Sequence, residues 1–495
     1  MLKKHNQLSD VHTILEPLTA ELGLNWAQVE SLRLMSQDID GGHSRVYSDI
    51  AMGVGKSAIE LIYMEACFRA GIGLTGMITT NGQDDVLNLL ENEAPKWAPE
   101  LYKSGQLSHY LPSKGQNTPF GVATHVSVTE GLKTGSLKIP SVMSIDEAQG
   151  ALSDLRKGLF QNVDAPIFAL TATPAYSLKK SLDSAGYKLS YKLPFEEAVA
   201  RSLLSSYRNI LLQVEDPYRQ IDEIDMVRGD YDLEQIEKLM RHQNVMETVA
   251  HFIANWEHPD TGQTFFERKG IISCCTVMHA AYVANGLSKL FDKKMPKGQS
   301  FIEPIWSTSK HIGSMSRDDR NAVIARHRAG NNRFVSTQGL LLTGHNDPTI
   351  DTVINLRPTA SMVMVPQRGG RAVRFDHSNP NKEAYIIDVL LESDRSKQMI
   401  FADYAGKGFI ETLERQKWRE ERDPREYKRV KKHIRVNHND APTPYKVYYD
   451  QREVRSYILT REKRQAIAKR PWLSTMTPSL LTPLIRNDVK SIATL

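Results

Sequence analysis

At 495 residues the chain is longer than one hydrophobic core accommodates, and a prior of roughly 100 to 200 residues per domain points to about three units. A composition of 40% hydrophobic and 24% charged residues disfavours a disordered or membrane-embedded class, and no run of about 18 apolar residues occurs that would span a bilayer. The net charge of +5 is uneven, because residues 415–495 hold 20 Lys and Arg against 9 Asp and Glu, a basic section that follows a mildly acidic body.

The opening MLKKHNQLSD leads into a polar amphipathic stretch rather than the apolar core of an export signal, so the expectation is a cytoplasmic protein with no membrane association. Residues 1–29 are expected to form an N-terminal helical segment. From there, short runs rich in β-branched residues alternate with longer helical patterns: 44–50, 73–79, 121–127, 139–145 and 165–170. An acidic, polar stretch follows, read as a linker over 215–240. The alternation then restarts at 269–274, 301–306, 334–337, 352–356 and 384–390. This pattern predicts α/β architecture with two parallel-sheet domains, 30–214 and 241–400, ahead of a mostly helical, basic extension over 401–495. Cys67, Cys274 and Cys275 have no metal-ligand spacing and read as reduced core residues. No internal repeat of 20 to 50 residues is visible, although two α/β halves can share architecture without sharing sequence.

Two local patterns carry chemistry. Ile50-Ala51-Met52-Gly53-Val54-Gly55-Lys56-Ser57 follows a predicted strand and opens the helical pattern AIELIYMEACFRA. Glycines there permit a tight turn whose backbone N–H groups face phosphate oxygens, and the helix N-terminus adds a favourable dipole. Lys56 is expected to bridge the β- and γ-phosphates of ATP and Ser57 to hold Mg²⁺. The general phosphate-loop pattern has glycine where Ile50 stands, a departure outside the Gly53-Val54-Gly55-Lys56-Ser57 portion. About 90 residues on, the strand IPSVMSI ends in Asp146-Glu147-Ala148-Gln149. Acidic residues at the C-terminal end of a buried parallel strand lie where open α/β sheets bind ligands. Asp146 is expected in the Mg²⁺ shell and Glu147 as the group that positions and deprotonates the attacking water.

On these residues the sequence resembles the superfamily 2 DExD/H helicases, in a DEAQ version, and further segments match in the family's order. Leu32-Arg33 with Gln37 is similar to the adenine-recognising segment, and Thr171-Ala172-Thr173-Pro174 to the coupling motif, with Gln149 of the DEAQ tetrad, Thr171 and Thr173 as the implied coupling residues. Gln367-Arg368-Gly369-Gly370-Arg371-Ala372-Val373-Arg374 resembles the last motif, QxxGRxxR. The resemblance implies two RecA-like domains, ATP and Mg²⁺ as cofactors, catalytic roles for Lys56, Asp146, Glu147 and Gln367, and arginine-finger roles for Arg371 and Arg374. Thr79-Thr80-Asn81 and Thr124 resemble strand-tracking motifs, although single hydroxyls after strands are commonly helix caps. Thr343-Gly344-His345-Asn346-Asp347-Pro348 resembles the TEGxDxP motif, with Gly344 a nucleic-acid contact, but Asn346 stands where aspartate is usual.

The phrase IDTVINLRPTASMVMVPQRGGRAVR is most similar to DNA-directed repair, recombination and restriction-type helicases common in bacteria and phages, which favours DNA over RNA as the nucleic-acid partner. Replication, repair, recombination and defence all remain open as the process served. In the extension, Trp418, Tyr427, Tyr445, Tyr448, Tyr449, Tyr457 and Trp472 lie among basic residues. They either stack on bases or dock the extension onto the second domain, and their large apolar area favours docking for most.

Overall fold

The alternating runs form two parallel sheets. The computed structural model describes residues 2–153, 163–177, 180–214, 220–227, 229–258, 261–339, 347–361, 363–391, 393, 398–405 and 445–449. The first sheet contains β1 (Arg45–Ile50), β2 (Gly76–Thr80), β3 (Leu107–His109), β4 (Phe120–Thr124), β5 (Val142–Asp146), β6 (Ile167–Thr171) and β7 (Lys188–Leu193). Its order is β3-β4-β2-β5-β6-β1-β7, parallel throughout. The second contains β8 (Ser206–Val214), β9 (Gly270–Ser273), β10 (Ser300–Ile305), β11 (Asn332–Thr337), β12 (Thr352–Asn355), β13 (Glu383–Leu391) and β14 (Tyr445–Tyr449). Its order is β10-β11-β9-β12-β13-β8-β14, parallel except for β14, which runs antiparallel to β8. Counted along the chain, the second sheet repeats the strand order of the first.

Strands covered on both faces need apolar residues at every position rather than alternate ones. Accordingly β2, β4 and β6 are buried along their whole length, as are β9 and β12. The helices of the unit holding the first sheet include α1 (Leu2–Glu21), α2 (Trp26–Asp40) and α3 (Lys56–Arg69). α3 is buried almost all round, including its charged Glu60 and Glu65. Glu65 is compensated by the N–H groups of Glu100 and Leu101, at 3.1 and 2.9 Å, and by Arg69 at 2.9 Å. α1 is fixed by His12, whose Nδ1 lies 2.8 Å from Asp40 Oδ2 and whose Nε2 lies 2.9 Å from the Tyr63 hydroxyl.

Three boundaries differ from the sequence-based expectation. The chain divides into two compact units, the first Met1–Leu204 and the second beginning at Ser205. The helical segment 1–29 is therefore part of the first unit, tied in through His12. Residues 206–214, assigned by the sequence to the first domain, form β8, an inner strand of the second sheet with Ile210 and Leu212 fully buried. The stretch 215–240 is not a plain linker either: Leu233–Met240 is a helix capped by Asp232, and it puts Ile236 and Met240 into the second core. Spacing of three and four between apolar residues drives that burial, whereas the charge of the same stretch dominated its sequence reading. Of the expected helical extension, Phe401–Ala405 is a helix and Tyr445–Tyr449 a strand. Residues 406–444 and 450–495, with Trp418, Tyr427, Tyr457 and Trp472, lie outside the described residues.

Candidate nucleotide site

β1 delivers the chain into a loop that turns directly into α3. The Ala51 N–H donates to the Leu193 carbonyl at 3.1 Å, fixing the loop's first residue against β7. Gly53 and Gly55 have φ of 94° and 95°, the left-handed region that glycine occupies without steric penalty. A β-carbon at Gly55 would lie 2.7 Å from Gln28 Nε2, so the position excludes larger residues twice over. Gly55 has no side chain to cap α3, which leaves the helix's first N–H groups for an anion.

Gln28, which sequence reasoning missed, holds this loop. Asn25 and Gln28 form a capping box at the start of α2, in which the Asn25 N–H donates to Gln28 Oε1 at 2.9 Å. That leaves the Gln28 amide nitrogen free to donate to the carbonyls of Val54, at 3.2 Å, and Gly55, at 2.9 Å. Asn25 Nδ2 donates to the Val54 carbonyl as well, at 3.3 Å. The cap signature was readable in Asn25-x-x-Gln28; its second use across 26 residues of chain was not. Arg33 and Gln37 lie further along α2, where Arg33 donates to Glu30 at 2.6 and 2.9 Å and to Gln37 Oε1 at 3.1 Å.

The acidic pair closes on the lysine. Lys56 Nζ, on a residue only 8% exposed, lies 3.4 Å from Glu147 Oε1. The other Glu147 oxygen accepts from Gln149 Nε2 at 2.6 Å; Gln149 Oε1 accepts from the Thr171 hydroxyl at 2.6 Å; and Thr171 Oγ1 accepts the Thr173 N–H at 2.9 Å. The loop lysine, the acidic turn and the segment after β6 are thus one connected set. Glu147 itself has a left-handed backbone, φ 47° and ψ 52°, and its N–H donates to Asp146 Oδ1 at 2.8 Å. Burial, reinforced by the Glu147 charge, pushes the Asp146 carboxyl upward from its ordinary range. An acid that the sequence did not single out, Glu60, accepts from the Ser144 hydroxyl at 2.5 Å. Burial, reinforced by Asp146, pushes it well above the usual carboxylate range. Ser57 and Asp146 carry oxygen donors of the kind that Mg²⁺ prefers; among the described residues no three His, Cys, Asp or Glu side chains group as a metal site.

The other candidates are placed as follows. Thr79 is fully buried, with its hydroxyl 2.8 Å from His125 Nδ1. Thr124 caps the helix His125–Thr134 by accepting the Ser127 N–H at 3.1 Å. Both hydroxyls are therefore engaged inside the first unit. Thr80 is buried, and of this group Asn81 is the exposed member. Gly344 lies outside the described residues. Nearby Asp347 is buried, accepting from Lys269 Nζ at 3.0 Å and from the Thr349 N–H and hydroxyl at 3.0 and 2.6 Å. Burial alone would raise its carboxyl, but the Thr349 and Lys269 donors outweigh that and hold it at about 2. In the second unit, Gln367 lies on the helix Met364–Gly369, half-buried; Arg371 is buried and Arg374 half-buried just beyond. Ser205 fixes that end, its N–H donating to the Val373 carbonyl at 2.8 Å and its hydroxyl to the Arg374 carbonyl at 3.0 Å.

Residues 271–376 match the helicase conserved C-terminal domain. No curated protein sequence matches the chain. Among solved structures it is similar to the ATP-dependent type ISP restriction-modification enzyme LlaBIII bound to DNA, at 14% identity over 75% of this chain and 28% of that one, with a TM-score of 0.51. The chain thus spans little more than a quarter of that enzyme's length. It is also similar to a fragment of a candidate HsdR subunit of a type I restriction enzyme from Vibrio vulnificus YJ016, at 17% identity over 76% of this chain and 68% of that one, TM-score 0.50. A third match is S. cerevisiae Dbp5 bound to RNA and ADP BeF3, at 13% identity over 84% and 97% of the two chains, TM-score 0.46. The two parallel sheets are RecA-like, and residues 271–376 are those of a helicase C-terminal domain.

Proposed function

We propose that this chain is an ATP-hydrolysing motor of the superfamily 2 helicase type, which moves along DNA and separates or remodels its strands. The observation that carries the reading is the unbroken path Lys56–Glu147–Gln149–Thr171–Thr173, with contacts of 2.6 to 3.4 Å. A change at the phosphates displaces Glu147, and Gln149 passes that displacement to the segment after β6. A glycine turn that merely closed a loop would have no use for such a connection.

In this reading Lys56 binds the β- and γ-phosphates while the backbone N–H groups of Gly53 to Ser57 surround them. Ser57 and Asp146 would hold Mg²⁺, which neutralises charge developing on the phosphate oxygens. Glu147 orients water and takes its proton, and it becomes available for this once Lys56 turns from its carboxylate to phosphate. Gln367, Arg371 and Arg374 serve the transition state from the helicase C-terminal segment, the arginines supplying positive charge to the transferring phosphoryl group. Arg33 and Gln37 recognise adenine. Hydrolysis removes the γ-phosphate contacts that favour the ATP-bound conformation, and a strand gripped with different strength before and after advances by a step. Thr80, which ends β2, and Asn81 after it are the strand contacts we favour. DNA is preferred over RNA on the likeness of residues 350–374 to DNA-directed helicases, and the basic section after residue 415 supplies sequence-independent affinity for phosphate.

Steady-state ATP hydrolysis, measured without nucleic acid and with single-stranded, duplex and forked DNA or structured RNA, tests the reading beside a Lys56→Ala control. Stimulation by DNA that disappears in the control is expected. Stimulation by RNA alone would keep the ATPase and overturn the substrate, and no Lys56-dependent turnover on any ligand would leave a non-catalytic binding scaffold.

A further inference from the structure

The spacing Gln367-x-x-Gly370-Arg371 requires glycine at 370 and says nothing of 369, yet Gly369 is also glycine. The reason lies 32 residues on. A β-carbon at Gly369 would sit 2.2 Å from Cδ2 and 2.3 Å from Cε2 of Phe401, so the phenyl ring rests directly on the backbone of the helix Met364–Gly369. Phe401 is fully buried, and its ring meets Tyr207 of β8 edge-on at 5.7 Å and Tyr404 at 5.8 Å.

The ring is held in place by its own backbone. The Phe401 N–H donates to Asp388 Oδ2 at 2.9 Å, and the Ala402 N–H to Asn209 Oδ1 at 2.9 Å. Asn209 Nδ2 donates in turn to Asp388 Oδ2 at 2.8 Å and to the Ile386 carbonyl at 2.9 Å, while Asn355 Nδ2 donates to Asp388 Oδ1 at 2.6 Å. Asn355, Asp388 and Asn209 belong to the adjacent strands β12, β13 and β8, so a buried polar clasp across three strands fixes the segment bearing Phe401. Just before it, the Met399 N–H donates to the Thr359 carbonyl at 2.7 Å. The turn that presents the arginines is built on the residue this ring touches: the Ala372 N–H donates to the Gly369 carbonyl at 3.1 Å, and the Gly370 N–H to the Pro366 carbonyl at 2.9 Å.

We propose that Phe401 is a positioning residue for Arg371 and Arg374, its ring setting the height of the helix Met364–Gly369 and hence the place of the arginines. The chain that leaves the second sheet through Phe401 is thereby mechanically joined to phosphate chemistry. This rests on the arginine roles proposed above. A side chain that acts by placing charge alters the transition state far more than the ground state, and a misplacement of about 1 Å is enough to lose about 100-fold in rate.

Steady-state kinetics of the full chain with Phe401→Ala, Phe401→Leu, Arg371→Ala and the double variant Phe401→Ala/Arg371→Ala tests it, with thermal melting as the check on folding. Phe401→Ala is expected to lower kcat about 10- to 100-fold with KM for ATP within about twofold, and Phe401→Leu to restore most of the loss. The double variant is expected to lose less than the product of the two single losses, because the part of the ring's effect that runs through Arg371 is already gone and only the part through Arg374 remains. A folded Phe401→Ala protein with normal kcat overturns the proposal, as does a double variant whose losses multiply. If Phe401→Ala does not fold, Gly369→Ala supplies the same test from the other side: its methyl displaces the ring and lowers kcat, and Phe401→Leu in the same chain restores it. No rescue there overturns the proposal. An Arg371→Ala protein with normal turnover removes the arginine role itself, a result distinct from the failure of Phe401 alone.

Discussion

Glu147 keeps its left-handed backbone beside Asp146, where a non-glycine residue is destabilised by about 1–3 kcal/mol. The strain is held by its own carboxylate, shared between Lys56 and Gln149, and by the N–H bond to Asp146. Glu147→Gln keeps the length of the side chain and removes its ability to take a proton. That variant is expected to bind ATP within about threefold of the parent and to hydrolyse it at least about 100-fold more slowly, measured by nucleotide titration and single-turnover assay. Normal turnover would remove Glu147 from the role. At this scale the sequence was legible where the geometry is local: glycines at 53 and 55, and acids ending a buried strand. Gln28 and Glu60 were not, because their importance arises from partners on other elements, the Val54 and Gly55 carbonyls in one case and Ser144 in the other.

Among elements, the expected strands with unmixed apolar runs all appear, because a strand covered on both faces needs that composition whatever its neighbours. β3, β7 and β8 were not anticipated. β7, Lys188–Leu193, lies at a sheet edge with exposed and half-buried residues and only Leu193 buried, and β8 follows the first unit with no change of composition to mark a boundary. α2 shows why element ends matter more than element identity: its capping box both starts the helix and grips the glycine loop before α3. Gln28→Ala is expected to lower stability by about 1–2 kcal/mol, from the lost cap and loop bonds, and to weaken ATP binding several-fold. Calorimetric unfolding and titration with a fluorescent ATP analogue check the two effects separately; unchanged affinity would make the contact with Val54 and Gly55 incidental to the site.

Across the whole molecule, two sheets with one strand order show a duplication of architecture with no repeat visible in the sequence. A strand order is specified by connections and twist, which many sequences satisfy, so no shared residues are needed. Charge is the property the sequence reports best at this scale, and it leads to a further expectation. Removing residues 450–495, where 9 Lys and Arg oppose 4 Asp and Glu, should weaken DNA binding and flatten its dependence on salt. An unchanged slope of log affinity against log salt would assign those residues to packing. The cut belongs after β14 rather than before it. β14 lies along β8 from Val214 to Ile210 and occupies that flank of the second sheet. Without it, β8 would present a row of unpaired N–H and C=O groups beside an apolar core, a template on which another copy of the chain can add its own strand. A shortened protein that precipitates or forms chains of molecules would then be reporting an uncovered seam, and solubility as the cut is moved across residues 445–449 would read out that protection directly.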